Sequence, residues 1–306
     1  MTLTRRLRVG VQLPEVERVV RWPELLAMAR MAESVGFDSL WVGDHLLYRD
    51  PGQEPGGPWE AWTLLAALAA ATSRIALGPL VACTAFHAPA MLAKMAATVD
   101  EISGGRLILG LGAGWNEVEF RAFGFPFDHR VARFEEAFTI VRTLLREGAI
   151  DFAGTYYEAR DCELRPRPRP GGPPLMIGST GKRMLRITVP YVDSWNAWYD
   201  ATGNRPEEVR PLRETVDAAC RAAGRDPATL ERTVAVQVRL SRGTGRKHGD
   251  PERRATPLAG SAEELAEGLR AYAGEGIGHL QLVLDPITEA SIAELAPVLE
   301  LLDRAV

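Results

Sequence analysis

Along the chain, short runs of β-branched or apolar residues alternate with longer stretches whose apolar positions recur at helical spacing. The first run, Leu7 to Leu13, is closed by Pro14, and a helix follows over Trp22 to Val35, with Pro23 in its first turn and Gly36 at its C-cap. The same reading places strands at Ser39–Gly43, Ile75–Val81 and Arg106–Leu111, each followed by a helix: Ala61–Thr72, Pro89–Ile102 and Val131–Glu147. In the second half, strands at Leu175–Ile177, Ser194–Ala197, Thr233–Leu240 and His279–Leu284 precede helices at Lys182–Tyr191, Glu207–Ala223, Ala262–Ala273 and Ile292–Arg304. Phe152 to Cys162 reads as an inserted hairpin, and the Arg-Pro run Arg165–Pro170 as a solvated, polyproline-like connector.

Eight strand–helix pairs in one chain indicate the α/β class and a (β/α)8 TIM-type barrel, one domain over residues 1–306. Periodicity does not separate a closed barrel from an open eight-stranded sheet, so that alternative stays open here. In such barrels the reacting groups sit where strands end. The long loops after strands two (Asp44–Glu60), four (Gly112–Arg130) and seven (Ser241–Gly260) are therefore expected over the mouth, with residues 241–260 a flexible, lid-like loop carrying Arg242, Arg246 and Lys247.

Composition narrows the class. Of 306 residues, 46% are hydrophobic and 25% charged, the balance of a globular protein with a full core. The net charge of −4 argues against non-specific binding of nucleic acid, which needs a basic surface. Cys83, Cys162 and Cys220 lie far apart and are odd in number, as expected of reduced thiols in the cytoplasm. No CxxC, HExxH or clustered His/Cys spacing occurs, so no metal site is expected. The longest apolar run, Ala61 to Ala71, is too short to span a bilayer.

Four stretches at strand ends carry candidate chemistry. Asp44-His45 closes strand two: an imidazole suits proton transfer near neutrality, and a neighbouring carboxylate can orient it, although a helix cap beside a surface histidine looks the same. Gly78-Pro79 within strand three implies a bulge or kink, read equally as a close approach to the backbone or as an irregularity of barrel closure. In Gly110-Leu-Gly-Ala-Gly-Trp115, alternating glycines let a ligand approach the backbone; the spacing is not GxGxxG, and no helix is expected directly after it. Gly178-Ser-Thr-Gly-Lys182 turns strand five into a helix and offers small residues, hydroxyls and N–H groups to a phosphate.

Taken together, and in this order, these stretches resemble the luciferase-like monooxygenase superfamily, in particular its branch of coenzyme F-420-dependent oxidoreductases. The matching segments include Gly10–Pro14, Gly36–His45, Thr72–Gly78, Pro89–Asp100, Ser103–Arg106, Gly110–Glu119, Phe123–Phe127 and Pro174 through Asn196. The resemblance implies a barrel that binds a deazaflavin, coenzyme F-420, or alternatively FMN, across the strand ends. Activity would be hydride transfer to or from a small organic substrate; the alternatives are oxygen activation on reduced FMN or a non-catalytic flavin carrier. It further implies His45 as the catalytic residue beside the ring, a non-proline cis peptide near Leu80-Val81 behind it, and Asp44, Gly112, Ala113, Gly114 and Trp115 lining the cofactor. Ser179, Thr180, Gly181 and Lys182, with Gly178, would hold its phosphate. Ala113 stands where flavin-dependent luciferases commonly carry a phosphate-contacting arginine, which weakens the FMN assignment. A homodimer is implied by the same resemblance.

Overall fold

The computed structural model describes residues 7–244 and 255–304. Nine short parallel strands form one sheet in the order β3-β2-β1-β11-β10-β9-β8-β5-β4. They are β1 (Arg8–Gln12), β2 (Ser39–Val42), β3 (Ala76–Pro79), β4 (Ala82–Cys83), β5 (Leu109–Gly112), β8 (Leu175–Gly178), β9 (Ser194–Ala197), β10 (Glu231–Arg239) and β11 (His279–Asp285). The two ends of this order are consecutive in the chain: β3 falls within the third expected strand and β4 just past its expected end at Val81, so the sheet wraps round on itself. Closure is completed by Leu77, whose N–H donates to the Arg106 carbonyl while its own carbonyl accepts from the Ile108 N–H. The fold is thus a TIM-type barrel rather than an open sheet. Strands buried on both faces explain the unbroken apolar runs in the sequence.

The helices pack outside: α1 (Trp22–Val35), α2 (Ala61–Ala71), α3 (Pro89–Ser103), α4 (Glu117–Phe123), α5 (Arg130–Glu147), α6 (Lys182–Thr188), α7 (Val209–Ala222), α8 (Ala262–Gly274), α9 (Glu289–Glu294) and α10 (Ala296–Asp303). An antiparallel hairpin, β6 (Ala149–Ala153) and β7 (Glu158–Glu163), is inserted after α5. Glu136 on α5 fixes its turn by accepting from the N–H groups of Thr155, Tyr156 and Tyr157. Exposed Arg165, Arg167 and Arg169 line the connector that follows.

Several boundaries differ from the periodicity reading, each for a local reason. The third strand breaks at Leu80-Val81, a cis peptide. The helix expected to reach Tyr191 stops at Thr188, ahead of Pro190, which has no N–H to continue the helical hydrogen-bond ladder. The final helix is two helices, since Pro297 lacks an N–H to donate and sits in the first turn of α10. The loop after β5 also contains α4, which starts two residues past Trp115; the expectation of no helix there was wrong.

Near the floor of the barrel, Trp41 Nε1 donates to Ser39 Oγ at 2.7 Å, and Ser39 Oγ also lies 2.7 Å from His279 Nε2. No described helix is long and apolar enough to cross a membrane. Of the loop at residues 241–260, the near end and the return are described: Leu258 pairs beside β10, exchanging hydrogen bonds with Arg239 and Gln237. Arg246 and Lys247 fall outside the described residues.

Candidate active site

The strand ends define a mouth, and its most heavily interacting side chain is His45. β2 ends at Val42, so Asp44 and His45 follow in irregular backbone and are free to part company. Asp44 reaches to β4: its carboxylate accepts from the Cys83 N–H at 2.8 Å and lies 3.5 Å from His87 Nε2. It thereby ties the end of β2 to β4. His45 turns the other way, with its ring 19% exposed.

Two buried carboxylates meet His45. Glu119, on α4 and 1% exposed, pairs with Nδ1 at 2.8 Å, and its second oxygen accepts from the Leu46 N–H at 2.8 Å. Glu15, just past β1 and 5% exposed, places an oxygen 3.8 Å from Nε2. Glu15 is itself held by the Tyr48 hydroxyl at 2.7 Å and by Gln12 Nε2 at 2.9 Å. Burial pushes the His45 pKa down, but the Glu119 hydrogen bond and the charges of Glu15, Glu119 and Asp44 outweigh it, so the ring is held above its ordinary value. A partly exposed imidazole that favours its charged form is equipped to hand over a proton at Nε2.

Aromatic rings complete this wall. Tyr48 lies 4.8 Å from His45 between centroids, and Trp115, 62% exposed, meets it edge-on at 5.6 Å. Gly114 has φ of 72°, and a β-carbon there would come within 2.6 Å of Cys83 Sγ and the Phe120 ring, so only glycine carries the chain into α4. The helix is anchored by Phe120, packed 5.0 Å from Phe86 and 5.1 Å from Phe127.

Val81 follows β3, whose continuation Leu80 donates its N–H to the Val42 carbonyl at the end of β2, and it forms an apolar platform at the mouth. β-Carbons at Gly112 and Gly178 would lie 2.7 and 3.2 Å from its methyl groups, so the absence of side chains on β5 and β8 is what admits Val81. Beyond Gly178, the Trp195 indole donates to the Ser179 carbonyl at 2.7 Å and fixes the loop into α6. Thr180, Gly181 and Lys182 are exposed, and a β-carbon at Gly181 would have 3.6 Å of clearance to Ser179 Oγ.

The structure sets His45 against Trp115, packs Val81 against the glycine-rich ends of β5 and β8, and turns the Asp44 carboxylate to the Cys83 N–H instead of the His45 ring. Sequence reasoning missed Glu15, Glu119 and Tyr48. An acidic residue straight after a closing strand was a usable signal for Glu15; nothing local linked Glu119 to a histidine 74 positions away. A crevice of about 280 Å³ between Val19, Trp59 and Leu64 has Glu15 on its inner wall, but His45 does not line it. Among the described residues no group of three or more His, Cys, Asp or Glu is placed to hold a metal ion.

The family model described as luciferase-like monooxygenase matches residues 3–246. The 5,10-methylenetetrahydromethanopterin reductase of Archaeoglobus fulgidus is 30% identical over 206 residues, 67% of this chain and 57% of that protein. The F-420-dependent glucose-6-phosphate dehydrogenase of Amycolatopsis mediterranei is 31% identical over 250 residues, 79% of this chain and 72% of that protein. Among solved structures, an F-420-dependent secondary alcohol dehydrogenase in complex with an F-420-acetone adduct superposes with a TM-score of 0.79 at 22% identity, covering 96% of this chain and 98% of that one.

Proposed function

This chain belongs to the luciferase-like monooxygenase family of oxidoreductases, and we propose that it transfers a hydride between coenzyme F-420 and a small organic substrate at the mouth, with His45 as the proton-handling residue. The observation that carries this reading is the pairing of His45 with two buried carboxylates in a partly exposed position. Hydride transfer to a carbonyl, or from an alcohol, must be matched by a proton moving to or from oxygen, and His45 Nε2 is the group equipped to exchange it.

The residues present fit a flat ring cofactor. Val81 offers an apolar platform, Trp115 and His45 an aromatic wall, and the small residues Gly178 to Lys182 a backbone cradle for a phosphate. When bound, the deazaflavin supplies or accepts the hydride. His45 holds the proton, Glu119 fixes the ring through Nδ1, and Glu15 with Tyr48 favours the charged form. The family's monooxygenase members support a second reading, in which reduced FMN activates oxygen at the same mouth.

Titrating the purified protein with coenzyme F-420 and with FMN, followed by absorbance, separates the two. Tighter binding of F-420, with anaerobic turnover, is expected. Tighter FMN binding with oxygen consumption would replace the first reading with the second, and cofactor binding without turnover across a broad substrate panel would point to a carrier.

A further inference from the structure

The barrel interior holds polar side chains that the mouth does not use. Asn196 Nδ2, on β9, donates to Thr233 Oγ1 and to Gln281 Oε1, each at 2.8 Å, and the Thr233 hydroxyl faces Met176 Sδ at 3.7 Å. Gln281, on β11, is fully buried, and its Nε2 has no protein partner. On the adjacent strand β1, Gln12 is 1% exposed; its Nε2 is committed to Glu15, and its Oε1 has no protein partner.

The register relates these two orphans. β1 and β11 run parallel with Gly10 opposite Gln281, so Gln12, two residues further on, faces the same side one step nearer the mouth. Such diagonal neighbours lie within reach of long side chains. Ser39 and the Trp41 indole fill the space a side chain at Gly10 would take, and their polar atoms are already engaged with each other and with His279. Gln12 is therefore the position on β1 nearest to Gln281 with an unmet acceptor. A buried donor and a buried acceptor left unpaired would each destabilise the fold.

We propose that one ordered water sits between Gln281 Nε2 and Gln12 Oε1, accepting from the first and donating to the second, and that Gln281 is thereby a positioning residue for Glu15. The chemistry selects water over an ion: a cation would suit only the Gln12 oxygen and an anion only the Gln281 amide, whereas water serves both. Neither would reversing the Gln12 amide help, because it would set a carbonyl oxygen against the Glu15 carboxylate. The result is a continuous chain from Asn196 through Gln281, water and Gln12 to Glu15, ending beside His45. It does not depend on which cofactor binds.

Two measurements on the intact protein test this. A crystal structure at a resolution that shows ordered water should reveal one within hydrogen-bonding distance of both amides. Direct contact between the amides, or a dry gap, would overturn the bridge. NMR titration of the His45 ring should give a midpoint roughly half a pH unit lower in Gln281→Met than in the unmodified protein, as Glu15 loses its orientation. The other groups facing the ring, Glu119, Tyr48 and Trp115, and the nearby charge of Asp44 are unaltered in that variant. An unchanged midpoint in a folded variant would remove Gln281 from the positioning of Glu15. Should Gln281→Met fail to fold, Gln281→Asn carries the same titration, and the water density in the unmodified protein still decides the bridge.

Discussion

His45 at the mouth and His279 near the floor are both largely withdrawn from water, yet their rings are driven in opposite directions. His279 is 2% exposed, and its Nε2 faces only the neutral Ser39 hydroxyl. Burial, helped by the charge of Arg8, holds its pKa well below the ordinary 6.5. His45 also suffers from burial, but two carboxylates reverse the outcome. The contrast teaches that partners, more than depth, decide which histidine can trade protons: the floor uses the ring as a neutral packing and hydrogen-bonding group, and the mouth uses it as a charge.

The most severe way to test this division is His45→Ala. Cofactor binding should stay near normal while turnover falls by about 10²–10⁴-fold, the usual worth of a proton-handling group; full turnover by steady-state assay would end the role of His45. Next in size is Ser39→Ala on the floor. It strands the Trp41 indole N–H and the His279 ring nitrogen, at about 1–3 kcal/mol per buried group. Urea unfolding should register that loss, while turnover per folded molecule is retained; a specific loss of turnover would blur the floor–mouth distinction.

Gly181→Val addresses the cofactor side of the mouth. The clearance of 3.6 Å around a β-carbon there leaves the free protein close to its original stability, so the expected change is in binding, about tenfold or more in cofactor affinity. Unaltered affinity would mean that the phosphate is held elsewhere.

The smallest effects are linkage slopes, and the two histidines give opposite signs. The stabilisation from His45, whose pKa is raised in the fold, is fully present below pH 6.5 and is lost as pH climbs through the raised value. His279 stays neutral in the fold while the unfolded chain takes up a proton below pH 6.5, so stability falls toward acid, by up to about 1.4 kcal/mol per pH unit. Unfolding curves between acid and mildly alkaline pH should show the acid-side loss relieved in His279→Gln and the alkaline-side loss relieved in Glu119→Gln. Variants that keep the original slopes would break the comparison.

Much of the barrel was legible because its strands are short, apolar and separated by amphipathic helices, so the alternation from Leu7 to Leu284 reads directly as order along the chain. The mouth residues at strand ends, His45 and Gly178 to Lys182, were legible for the same topological reason. What escaped was convergence. Glu15 and Glu119 reach His45 from different strand ends, and no periodicity records that meeting. Ser39, His279 and Gln281 sit within strand runs that read as apolar, and their pairing depends on register between strands rather than on spacing within one. α4 was missed because a seven-residue helix has little intrinsic signal and owes its existence to tertiary packing.

That last element has a consequence for how such a mouth can be retuned. Glu119 rides on a helix too short to be stable alone, and the helix is pinned by a Phe86–Phe120–Phe127 cluster on its far side. The acidity of His45 is therefore adjustable from a distance: loosening an aromatic contact shifts the carboxylate, and the carboxylate shifts the ring, with no change to any group that touches substrate. Exchange of one phenylalanine in that cluster is a route by which the operating pH of the mouth can drift while the barrel and its reacting residues stay the same.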